Sequence, residues 1–64
     1  MDLDCLLTPI TGRTIADVQR AATQRLLDLG LYASRGYALV TTVVIDGEDG
    51  ARVIVDTFTK GHAQ

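Results

Sequence analysis

Hydrophobic and polar positions change period along this chain, and the changes mark its elements. Leu3, Cys5 and Leu7 alternate with Asp2, Asp4 and Leu6. That two-residue period predicts a short half-buried strand. Pro9 and Gly12 follow as turn residues. Ile15, Val18, Ala22, Leu26, Leu29 and Ala33 then recur at steps of three and four. At about 100° per residue they form one narrow helical stripe, with Asp17, Arg20, Gln24, Asp28 and Arg35 on the other side. Thr14 and Asp17 resemble a capping box at the helix start, and Gly36 suits the C-terminal cap. Leu27 and Leu31 sit among the polar positions, spaced to project together as a candidate contact site.

The last third returns to period two and is apolar on both faces. Tyr37 to Asp46 and Ala51 to Lys60 read as a hairpin around Gly47-Glu48-Asp49-Gly50. A type I turn centred on Glu48 and Asp49, with Gly50 left-handed, sets Gly47 against Ala51. Ile45 then faces Val53, Val43 faces Val55, Thr41 faces Thr57 and Leu39 faces Thr59. That side carries no charge and is expected under the helix. On the other side Asp46 meets Arg52, Val44 meets Ile54, Thr42 meets Asp56, Val40 meets Phe58 and Ala38 meets Lys60. A one-residue slip would set Asp56 and Arg52 under the helix.

The expected fold is α+β, a single domain over residues 1–64 in the order β-α-β-β. Its three-stranded antiparallel sheet runs first, third, second, with one helix on one face. Val40, Val44, Ile54 and Phe58 then lie on the uncovered face, with no element left to cover them. A second copy is the simplest cover, so a homo-oligomer is expected.

Size and charge narrow the classes. The chain has 64 residues, one cysteine and one histidine, too few ligands for a structural zinc site and no possibility of an internal disulfide. A domain of this length is marginal alone, and oligomerisation is the remaining stabilising device. The net charge of −2 and pI near 4.9 disfavour nucleic-acid binding. No stretch is long and apolar enough to cross a membrane, and the acidic start lacks signal-peptide character. A cytoplasmic location is expected.

Cys5 lies on the apolar side of its strand and reads as a core cysteine; the one histidine, His62, sits near the chain's end, where fraying is expected. Asp46, Glu48 and Asp49 read as turn chemistry in preference to a calcium loop. Thr11-Gly12-Arg13-Thr14 reads as an ordinary helix cap, since it lacks a P-loop's glycines and lysine. Tyr37 is expected to pack at the end of the helix. With no nucleophile-base pair or metal cluster, no enzyme activity and no cofactor are expected.

The run Tyr32-Ala-Ser-Arg-Gly36-Tyr37-Ala38-Leu39-Val40 resembles the signature of domain of unknown function forty-one seventy-seven, a small bacterial and phage family with the same β-α-β-β order. Gly36, Leu39 and Val40 match directly and Tyr37 replaces a tryptophan, whereas Ala33 and Ala38 depart from the family's glycine and glutamate. The resemblance implies a fold and no activity. Dodecins, small flavin-binding shells, are similar in element order and length, but this chain lacks their flavin-stacking tryptophan. The functional expectation is a small non-enzymatic homo-oligomeric binding protein, such as a phage or bacterial accessory protein acting on a host protein. The alternative is a small-molecule binder with its ligand between subunits.

Overall fold

The computed structural model describes residues 2–47 and 50–60. Strand β1 (Asp2–Ile10) leads to helix α1 (Ile15–Ser34), then β2 (Ala38–Asp46) and β3 (Arg52–Lys60). The sheet is antiparallel throughout, ordered β1-β3-β2, as the sequence pattern predicts. β1 runs further than expected, continuing through Pro9 to Ile10. β1 is an edge strand, where proline's missing N–H is tolerated.

Local signals set the ends of α1. Thr14 accepts from the backbone N–H of Asp17, and the Asp17 carboxylate accepts from the N–H of Thr14. Both halves of the capping box are present. The Thr14 contacts, with help from Arg20, hold the Asp17 carboxyl below its ordinary range. At the other end the N–H of Tyr37 reaches the carbonyl of Tyr32, and that of Gly36 reaches Ala33. Gly36 has φ +88°, the left-handed residue such a cap requires.

The hairpin register matches expectation from Asp46↔Arg52 to Thr41↔Thr57. Gly50 is left-handed at φ +84°, and the Gly47 N–H reaches the Ala51 carbonyl at 2.6 Å. Glu48 and Asp49, expected at the turn's centre, lie outside the described residues, as does His62. Beyond Thr41 the register shifts. Leu39 pairs with Phe58 and Ala38 with Thr59, leaving Val40 as the extra residue of a bulge. The expected Val40–Phe58, Leu39–Thr59 and Ala38–Lys60 pairs are therefore replaced.

The helix covers the opposite face from the one expected. Asp56 is fully buried beneath it, and Arg25 clamps the carboxylate with Nε to Oδ2 and Nη2 to Oδ1, both at 2.8 Å. The Thr42 hydroxyl donates to the same carboxylate at 2.6 Å. Phe58, expected on the open face, is 2 % exposed. The Tyr32 ring stacks on it at 4.2 Å and 2° between planes, and the Tyr32 hydroxyl donates to Asp4 at 2.9 Å. Tyr37 meets Tyr32 edge-on at 5.3 Å, at the helix end as expected. Ala21 is the buried residue of α1, and Arg25 and Tyr32 are half-buried on the sheet-facing side. The stripe expected to face the sheet is turned aside, with Ile15 77 % and Leu26 67 % exposed. The paired charge and the aromatic stack outweigh the stripe, because a charge buried beneath the helix requires its partner.

Arg25 holds the Asp56 carboxyl below its usual value, against the opposing effect of burial, and Thr42 adds to the lowering. The protein above Asp56 is only one helix thick, so nearby water screens the pair. Its stabilisation is present in full above the unfolded aspartate value of about 3.9, and is lost as pH falls through the lower folded value. Thermal melts are thus expected to be flat from neutrality to about pH 5 and to fall below about pH 4. Arg25→Met, which strands the buried carboxylate, is expected to cost about 3 kcal/mol at neutral pH. Adding Asp56→Leu should recover much of that loss. A melt of Arg25→Met equal to wild type would show that the pair does not hold the helix.

Candidate interaction surface

Alternation assigns the sheet's two faces once the helix side is known. On the side away from α1, the register aligns Pro9, Val53 and Ile45 across the strands. Leu7, Val55 and Val43 form the next row, then Cys5, Thr57 and Thr41, then Leu3, Thr59 and Ala38. No residue in this grid is charged. Leu3 is 70 % exposed, Leu7 62 % and Val43 53 %. A contiguous uncharged face of this kind is a candidate contact surface.

Cys5 lies on the bare face and is exposed, which corrects its reading as a core residue. Within the monomer the face has no cover, so apolar alternation did not mean burial. Its sulfur lies 3.9 Å from the Thr57 hydroxyl. Thr59 also belongs to this face, and its buried hydroxyl has no hydrogen-bond partner.

A second apolar surface lies on the helix side. The polar edge of α1 falls toward β1, where Pro9, Thr11, Asp17, Arg20, Ala21 and Gln24 line a cleft of about 220 Å³. Its apolar stripe is exposed at Ile15, Val18 and Leu26, and Arg25 reaches Thr42 of β2. Val44 is exposed there and Ile54 half-buried, so the two expected contact residues share the helix side of the sheet. Val40 is exposed at the bulge. Leu27 and Leu31 are exposed on α1, as the spacing predicts. The structure thus keeps Val40, Val44, Leu27 and Leu31 accessible, half-buries Ile54 and removes Phe58 to the interior. The bare-face residues Leu3, Leu7, Val43, Ile45, Val53 and Val55 are the ones sequence reasoning placed inside. Their signal was present in the alternation, which grouped them correctly.

Among the described residues, no group of three or more His, Cys, Asp or Glu could hold a metal ion. No described helix is long and apolar enough to cross a membrane. In comparison with known proteins, no family model, curated protein or solved structure matches the chain.

Proposed function

We propose that this chain is a non-enzymatic interaction module that works as a homo-oligomer, two copies meeting bare sheet face to bare sheet face. The bare face carries the reading. An uncharged grid offers nothing to repel its own copy across a two-fold axis, and sheets stack readily with their apolar faces about 10 Å apart. Each apolar side chain so buried is worth roughly 1.5–3 kcal/mol. Leu26, Leu27, Leu31 and Val44, exposed on the helix side, stay open in such a dimer. They support a second reading, in which a foreign protein or a small molecule is bound on that side.

Val43→Asp places a charge in the middle of the bare face without touching the helix side. It is expected to halve the mass measured by light scattering at micromolar concentration. Cys5 is expected to react slowly with a thiol reagent in the wild type and fast in this variant. A wild-type monomer at that concentration rules the pairing out. The double variant Leu27→Ser, Leu31→Ser is expected to keep the wild-type mass, and each exposed substitution should shift stability by no more than about 0.5 kcal/mol. Dissociation of that variant would move the interface to the helix.

A further inference from the structure

At the end of the molecule where β1 enters α1 and β2 turns into β3, the chain encloses an open cavity of about 380 Å³. Ile10 supplies part of its wall, with Thr11, Gly12 and Arg13 from the β1–α1 connection and Gly50 and Arg52 from the hairpin. We propose that this cavity binds a small oxyanion, a phosphate or carboxylate group carried on a compact apolar body. The cavity borders the bare face at Pro9, which lines both, and its other lining residues lie outside the four rows of that face.

The chain carries more carboxylates than basic groups, yet Arg13 and Arg52 both line this cavity and neither has an ion pair among the described residues. The ion pairs there are Arg20–Asp17 and Arg25–Asp56. Asp46 is opposite Arg52 in the register and forms no ion pair with it. Asp17, the carboxylate nearest Gly12, is turned to the Thr14 hydroxyl at 2.8 Å and to Arg20 at 3.1 Å.

Close approach supplies the second argument. A side chain at Gly50 would run into the Arg13 guanidinium, so the glycine lets Arg13 lie against the hairpin turn. Arg13 and Arg52 come from segments far apart in sequence, and the fold alone brings both to one cavity. A guanidinium fork suits a planar carboxylate or a phosphate, forming paired charge-assisted hydrogen bonds. The volume is that of a small-molecule site, about 300–1,000 Å³. Ile10, among the best-buried apolar residues, favours an apolar body behind the anionic group.

The test is an NMR titration of the isotope-labelled full chain with inorganic phosphate, phenyl phosphate and benzoate in turn. Saturable shifts are expected at the amides of Gly12 and Gly50 and at the side chains of Arg13 and Arg52. Phenyl phosphate should bind more tightly than inorganic phosphate. Arg13→Gln and Arg52→Gln should each weaken binding about tenfold, the loss of one charge-assisted contact. Arg35→Gln, at the far end of the helix, should leave it unchanged. A response to benzoate as strong as to phenyl phosphate assigns the site to carboxylates; a response to the phosphates alone assigns it to phosphate esters. Shifts that are absent, that never saturate, or that persist in both Arg13→Gln and Arg52→Gln overturn the site. Thermal melts of the variants confirm that each is folded.

Discussion

A carboxylate without accessible surface must be paired or neutral, and the placement of the helix follows from that constraint. Asp56 sits in the central strand, and Arg25 reaches it from the middle of α1 with a two-pronged contact. Thr42 completes the carboxylate's partners from β2. These contacts tie the helix to two strands and set its rotation. Tyr32, two turns on, stacks on Phe58 and bonds to Asp4, which fixes the helix's direction across the sheet. Polar and aromatic contacts thus anchor the two layers, where a small domain more often uses an aliphatic seam.

That anchoring leaves aliphatic surface unused. Ile10, Ala21 and Phe58 are the buried hydrophobic residues among those described. The stripe of α1 is exposed at Ile15, Val18 and Leu26, and the uncharged grid on the other face has no cover. Apolar burial is the main favourable term in folding, so a chain arranged this way has its strongest remaining source of stability outside itself. The proposed pairing of bare faces supplies it, and would shield Cys5 within the same contact.

The two ends of the molecule differ in chemistry. The end with the helix C-terminus gathers Tyr32, Tyr37 and Phe58, with the Lys60 ammonium 5.6 Å from the Tyr37 ring centre. The opposite end gathers Arg13 and Arg52 around glycines and Ile10. The proposed anion site and the proposed pairing face therefore adjoin at Pro9 and otherwise use different residues.

Much of the architecture was legible because its causes are local or pairwise. The capping box at Thr14, the left-handed Gly36 and Gly50, the β-α-β-β order and the register from Asp46 to Thr41 all follow from neighbouring residues or matched cross-strand partners. The bulge at Val40 was not legible, since nothing in Ala38-Leu39-Val40 marks an extra residue. Alternation also told which residues share a face: Val43, Ile45, Val53 and Val55 on one, Val44, Ile54, Asp56 and Phe58 on the other. It could not tell which face the helix covers, because both are rich in aliphatic residues. Only the tertiary structure decided that, by bringing Arg25 to Asp56 from 31 positions away in sequence. The charge that seemed to exclude its face from the interior became the reason for burial once its partner arrived from above, since a paired charge can be buried where a lone one cannot.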